Sequence, residues 1–219
     1  MEHVFFLKAE KEQRLFLLKI SAVLLLSILI VLSLAWLFNF YLLVVIIPVL
    51  ISIAAPFIDV PTGVKSGQFT HYSSLFIASS ERKGEVAVHG GTLFDYYFNL
   101  ASVKPAERKK VVLLSYLKGL MRLVEKYEED GREELVIKGT SYVINERTAE
   151  KVGFKPVRTD FLQKMILALN YIPVIIAYSY TQGKVGVPDL SKVITLKATI
   201  KELADHKEAI TRLVQRMEG

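Results

Sequence analysis

ISAVLLLSILIVLSLAWLFNFYLLVVIIPVLISIAAPFI, residues 20–58, contains no Asp, Glu, Lys, Arg or His in thirty-nine positions. One bilayer crossing takes about 20 apolar residues at about 1.5 Å rise each, so the run is long enough for two. Phe38-Asn39-Phe40 is its one interior stretch with turn character, and it divides the run into 20–37 and 41–58, each close to one hydrocarbon thickness. The expectation is a transmembrane helical hairpin, with Trp36 and Tyr41 at the depth where amphipathic rings settle. A helical hairpin buried in a soluble protein would carry a polar face on each helix, and neither half has one. The run is also far longer than the apolar core of a cleaved signal peptide.

The 219 residues carry 28 basic and 22 acidic side chains, a net charge of +6. Lys8, Lys11, Arg14 and Lys19 precede the apolar run, the remaining basic residues follow it, and the link between its halves is uncharged. By the positive-inside rule, the N- and C-termini of this multi-pass protein belong on the cytoplasmic side of an inner or plasma membrane. The basic excess is scattered and no RNA-binding or helix-turn-helix signature accompanies it. The lipid bilayer is therefore the expected partner, and nucleic acid is not. Cysteine is absent, which excludes disulfides, thiol nucleophiles and thiolate metal sites. His3, His71, His89 and His206 show no ligand-like spacing, and no metal is expected. With no ionisable group inside the apolar run, a transporter would have no ion path.

Outward from the run, residues 3–19 alternate apolar and charged side chains as an interfacial helix does, with Lys19 reaching the headgroups. The expected organisation is an interfacial segment 1–19, the hairpin 20–58 and a cytoplasmic α+β domain 59–219. Pro48 is placed to kink the second span, and Asp59-Val60-Pro61-Thr62-Gly63 reads as the turn that leaves the membrane. Residues 71–79 and 85–89 read as strands joined by a turn at 81–84, and the aromatic-rich stretch 92–101 as a third strand. Pro105 falls in a polar loop. A helix follows whose Val111, Leu114, Leu117, Met121 and Val124 recur at helical spacing and which Gly131 stops. Next come a strand from Leu135, a short helix over 146–152 capped by Asn145 and stopped by Gly153, and a strand over 154–159. Residues 161–180 are apolar enough for a third span, but Gln163, Lys164, Asn170 and Pro173 favour a helix to Tyr171 followed by a strand over 174–180, its apolar side belonging to the core or, as the alternative, lying on the membrane. Residues 205–216 read as an amphipathic helix. The alternation predicts a mixed sheet with helices packed on it.

His89-Gly90-Gly91 is built like a lipase oxyanion loop, but no G-x-S-x-G elbow accompanies it, and two glycines after a strand read as a bulge or tight turn. Gly139-Thr140-Ser141 lacks the lysine of a P-loop. One signal spans several elements. Two strands with a turn are followed by a third strand, V-x-P-x-x-R (Val103, Pro105, Arg108), a long helix, a strand ending at Asn145, a short helix carrying Ala149, and Gly153-Phe154 before another strand. Over residues 75–159 this order resembles the later two-thirds of the GNAT family, the N-acyltransferases that use acyl-CoA. The resemblance implies that backbone N–H groups at the start of the long helix hold the cofactor pyrophosphate, an anion at a helix N-terminus. Arg108 matches the first position of the family's Q/R-x-x-G-x-G/A loop, Lys109 and Lys110 add positive charge, and Asn145 matches the next motif. These four are the candidate residues for acyl-CoA, the expected cofactor. Val111 and Leu113 stand where the family's loop has small residues. The helix before Gly153-Phe154 is about one turn short, so the family's tyrosine acid has no counterpart.

A base for such a transfer must come from near the strand ends, where Glu85 and Asp95 are the candidates, with Tyr142 or Tyr96 as the acid. The expected fold is thus a membrane-anchored α+β protein, a two-helix transmembrane hairpin followed by a mixed-sheet, GNAT-like domain. The expected activity is transfer of an acyl group from a CoA or carrier thioester to a lipidic or small-molecule amine near the membrane. The alternative is a non-catalytic membrane adaptor or assembly protein with a degenerate acyltransferase-like fold, which Val111 and Leu113 favour; its protein partner is not legible here. If the charge reading holds, a green fluorescent reporter fused after Gly219 fluoresces and an alkaline phosphatase fused there is inactive. The reverse pattern would remove the cytoplasmic assignment.

Overall fold

The computed structural model describes residues 3–141, 144, 146–190 and 193–219. The chargeless run forms α1 (Glu10–Leu37), a 3-10 turn (Tyr41–Val45) and α2 (Ile46–Lys65). Glu10–Leu37 and Tyr41–Lys65 are each long and apolar enough to cross a membrane. The two helices pack on each other and turn back at Asn39, whose φ of 51° is left-handed, a conformation that a short polar side chain tolerates. The 3-10 turn moves Pro48 into the first turn of α2 rather than its middle, where the missing N–H breaks no helical bond. Nor does α2 end at Asp59–Gly63. It continues to Lys65 because Val60, Pro61 and Gly63 are buried against the domain, and Phe69 lies on Gly63 where any Cβ would overlap its ring.

Residues 3–7 do not lie along a surface. Val4–Leu7 form a 3-10 turn, and Phe5 is 0 % exposed among Val60, Ile77 and Phe94. The start of α1 and the end of α2 therefore meet the same domain, on the same side of the hairpin.

The domain is α+β, a mixed six-stranded sheet with helices on it. The strands are β1 (Phe69–Ser73), β2 (Phe76–Ser79), β3 (Glu85–Gly90), β4 (Val136–Ser141), β5 (Lys155–Val157) and β6 (Ile194–Thr199), in the order β1-β2-β3-β4-β6-β5. β3 and β4 are parallel, and the other neighbours are antiparallel. One face carries the main core. Phe76, Val86, Ile137 and Ala198 meet Leu120, Leu123 and Val124 of α4 (Pro105–Glu129), joined by Ile200 of α8 (Ile200–Ala204) and Ile210 of α9 (Lys207–Glu218). Gly119 lets α4 settle on Phe76, since a Cβ there would lie 2.6 Å from the Phe76 Cβ. The opposite face of β2 presents Ile77 to Phe5, Val60 and Phe94. Odd and even positions of one strand thus serve two different layers.

Several elements depart from the sequence reading. Residues 71–79 are two strands, because the chain turns at Ser74-Leu75 and the Ser73 hydroxyl accepts the Leu75 amide at 3.4 Å. Residues 92–101 are not a strand but hold α3 (Leu93–Asn99), opened by a capping box in which the Thr92 side chain and the Asp95 carboxylate each bind the other's backbone N–H. α4 begins at Pro105 itself, a residue suited to the first helical position. α5 (Glu146–Glu150), β5 and α6 (Phe161–Leu169) fall near their expected places. Residues 174–180 belong to a helix, α7 (Tyr171–Gln182). Its first turn holds Pro173, and Gly183 closes it at a φ of 67°.

Phe5 fills a closed site at the foot of the hairpin. Phe5→Ala should lower the stability of the detergent-solubilised chain by ~3–5 kcal/mol, read as the shift of its denaturant midpoint by circular dichroism. A shift within error would mean that residues 3–7 detach freely.

Candidate functional site

The register of β3 with β4 runs from Glu85↔Val136 to Val88↔Gly139 and stops. Each strand nevertheless continues two residues further, β3 to Gly90 beside Phe76 of β2, and β4 to Ser141 beside Ile194 of β6. The parallel pair therefore parts at its C-terminal end, and two adjoining cavities open there. The inner one, about 100 Å³, has apolar walls that include Val88, Leu117, Leu120, Val152 and Phe154. The outer one, about 320 Å³, is bordered by Gly91, Thr92, Pro173 and Ala177 of α7, and Pro56 of α2. His89, Gly90, Tyr116, Thr140 and Ser141 line both. Backbone edges facing each other across such a gap are suited to an extended, amide-bearing ligand laid along a strand.

The His89-Gly90-Gly91 stretch acquires a tertiary reason. A Cβ on Gly90 would overlap the Tyr116 hydroxyl, and one on Gly91 would lie 2.7 Å from the Tyr96 ring. The glycines make room for two tyrosines whose hydroxyls are 3.2 Å apart, and no oxyanion loop results. Burial raises the pKa of Tyr96 and keeps it a neutral hydroxyl. His89 is an exposed residue, and the protein around its imidazole disfavours the charged form and lowers its pKa. His89 is thus a neutral imidazole at the rim of the split at neutral pH, and it comes from no motif that the sequence reading used as a site.

The residues chosen from sequence fall elsewhere. Glu85 stands at the opposite end of β3, where it accepts a hydrogen bond from Lys197 Nζ at 2.5 Å that lowers its pKa. Arg108 turns inward: Nε donates to Val103 O at 3.1 Å and Nη1 to Tyr180 O at 3.0 Å, with the guanidinium carbon 3.9 Å from the centre of the Tyr180 ring. Lys109 and Lys110 are exposed on α4. None of Glu85, Asp95, Arg108, Lys109 or Lys110 borders the two cavities. Tyr142 and Asn145 lie outside the described residues.

Asp95 has partners that no local spacing announces. It is 0 % exposed. Oδ2 accepts from the Thr92 amide at 2.6 Å and the Thr92 hydroxyl at 2.7 Å, while Oδ1 lies 2.9 Å from His71 Nε2 and 3.1 Å from His3 Nε2. The His3 contact is within ion-pair reach but is not aligned as a hydrogen bond. His3 Nδ1 accepts the Phe5 amide at 3.2 Å, which leaves Nε2 as the nitrogen that carries the proton. The three donor groups lie within 4.8 Å of one another, among the described residues a set that could hold a metal ion. Ligation through His3 Nε2 would require the other tautomer and loss of the Phe5 bond. His71 Nδ1 is buried without a hydrogen-bond partner, so His71 has no free nitrogen open to a substrate. The cluster works as an anchor: desolvation acts to raise the Asp95 pKa, but His3 and His71 outweigh it and bring it to about 2.

No family model matches the chain, and neither the curated proteins nor the solved structures compared with it include a similar one.

Because the folded pKa of Asp95, about 2, lies below the ordinary value of 3.8, its contribution to stability is complete above that ordinary value and is lost as pH falls through the folded one. The contribution is on the order of 2 kcal/mol. Urea midpoints of the detergent-solubilised chain should fall between about pH 4 and pH 2, and Asp95→Asn should be less stable at neutral pH and largely free of that acid slope. An unchanged slope in the variant would assign the acid sensitivity to other carboxylates.

Proposed function

We propose that α1 and α2 hold this chain in a membrane with its domain on the cytoplasmic side, and that the domain is GNAT-like. Its split sheet receives the thioester arm and acyl chain of an acyl-CoA or acyl-carrier donor for transfer to a lipidic or small-molecule amine. The membrane part rests on the apolar side chains that α1 and the first turns of α2 leave exposed, Leu25, Leu29, Trp36, Leu37, Ile46 and Ile51 among them, which water would not tolerate on this scale. The catalytic part rests on one observation, the parting of β3 from β4 after Val88 and Gly139, with an apolar cavity behind it and a neutral imidazole at its rim. The long helix α4 on the connection between those two strands agrees with the family's order. In this reading the amine nitrogen attacks the thioester carbon while His89 takes the amine's proton. The C–S bond then breaks, and the departing thiolate is protonated from the Tyr116–Tyr96 pair.

A second reading, the non-catalytic adaptor, is favoured by Arg108. Its guanidinium is committed to Val103, Tyr180 and the Tyr180 ring, and Gly183 sits against Pro105 at the start of α4, where a pyrophosphate would be held.

Titration calorimetry of the full chain in detergent micelles separates the two. The full chain is required because His3 and Phe5 complete the domain. Heat with acetyl-CoA, palmitoyl-CoA or a palmitoylated acyl carrier protein supports the transferase, whereas silence with all three from a folded sample together with a stoichiometric co-purifying protein supports the adaptor. If amine acylation is detected, His89→Ala should reduce it by roughly 10²–10⁴-fold, and the acid limb of the wild-type rate should lie below the ordinary histidine value of about 6.5.

A further inference from the structure

α6 and α7 form an insertion between β5 and β6 whose apolar surface the domain leaves largely uncovered. Phe161 is 82 % exposed and Leu169 70 %, and Met165 and Ile166 are exposed with them. This spacing of four, five and eight residues lays them along one side of a helix, and Ile172 and Ile176 of α7 continue the exposed apolar surface. An isolated surface leucine is ordinary, whereas a contiguous apolar side marks something that covers it.

The neighbouring helix identifies the cover. α7 packs on α2, and its Ile176 and Tyr180 border a cavity of about 220 Å³ together with Ile53 and Phe57 of α2. Ile53 lies five residues inside the end of the apolar run, hence about 7–8 Å into it at 1.5 Å per residue. That matches the depth of about 5–10 Å to which an interfacial helix buries its apolar side. Lys164, exposed on α6, has the reach to keep its ammonium among headgroups. We infer that α6 and α7 lie in the membrane interface with this apolar side in lipid. The outer cavity, whose wall includes Pro56 of α2 and Pro173 of α7, then opens at the level of the bilayer. The inference rests on the reading that α1 and α2 span the membrane.

Because the chain has no cysteine, single cysteines can be introduced and spin-labelled without background. The full chain is reconstituted in phosphatidylcholine–phosphatidylglycerol vesicles with Leu25→Cys in the first span, Phe161→Cys and Leu169→Cys on α6, and Lys151→Cys on the domain surface. Relaxation by oxygen and by a water-soluble nickel chelate is then compared. Labels at positions 161 and 169 should follow the one at 25, several-fold more accessible to oxygen than to nickel, and that at 151 should show the reverse. Positions 161 and 169 behaving like 151 while 25 remains in lipid would overturn the inference and leave the hairpin intact. Position 25 in water would overturn the membrane reading itself.

Discussion

A carboxylate removed from water persists only where its partners offset the desolvation, and Asp95 draws its partners from three parts of the chain, two of them distant. His3 precedes α1, His71 lies on β1 just beyond α2, and Thr92 opens α3. One oxygen of this side chain, Oδ1, therefore meets both ends of the hairpin at one corner of the sheet, while Oδ2 holds the start of α3. Aromatic rings complete the corner: Phe5 meets Phe94 edge-on with centroids 5.0 Å apart, and the ring of His3 stacks on Phe94 at 4.9 Å. With both ends held there, α1 and α2 leave the domain side by side. The position of Pro56 beside the split sheet follows from the same anchorage.

The hairpin was legible because its signal is one of composition: a run without charge needs no tertiary knowledge, and Asn39 was visible as its only turn. Turn residues with a fixed backbone demand were legible too, Gly131 and Gly153 adopting positive φ where the reading stopped helices. The failures have a common cause. Residues 92–101 carry the aromatic content of a strand, yet the capping box and the burial of Asp95 make them helical; residues 174–180 are rich in Val, Ile and Tyr, yet Pro173 starts a helix there. Local propensity was real in both and was overridden by caps and packing. β6 was legible and passed unnoticed: Ile194, Leu196 and Ala198 alternate with Thr195, Lys197 and Thr199, the period of a strand.

The candidate site was less legible than the fold for a geometric reason. His89, Tyr116 and Thr140 sit on β3, α4 and β4 and converge only because two parallel strands part, an event that no spacing encodes. Arg108 shows the converse. It occupies the motif position, but the direction of its side chain is set by the carbonyls of Val103, which the motif contains without assigning it this role, and of Tyr180, 72 residues away, which no motif contains.

The commitment of Arg108 bears on which donor the split sheet would suit. A guanidinium that already gives two hydrogen bonds and stacks on a tyrosine must lose those contacts to pair with a diphosphate, and Val111 and Leu113 restrict close approach of phosphate oxygens to the backbone. Both obstacles concern the pyrophosphate alone. A thioester presented on a carrier protein makes no demand on the start of α4, since it needs only a channel for its extended arm and an apolar space for its chain. In that reading the gap beyond Val88 and Gly139 and the cavity walled by Leu117, Leu120 and Phe154 would serve as those two features. The residues that weigh against acyl-CoA are therefore neutral toward a carrier-bound donor, and within the transferase reading they favour it.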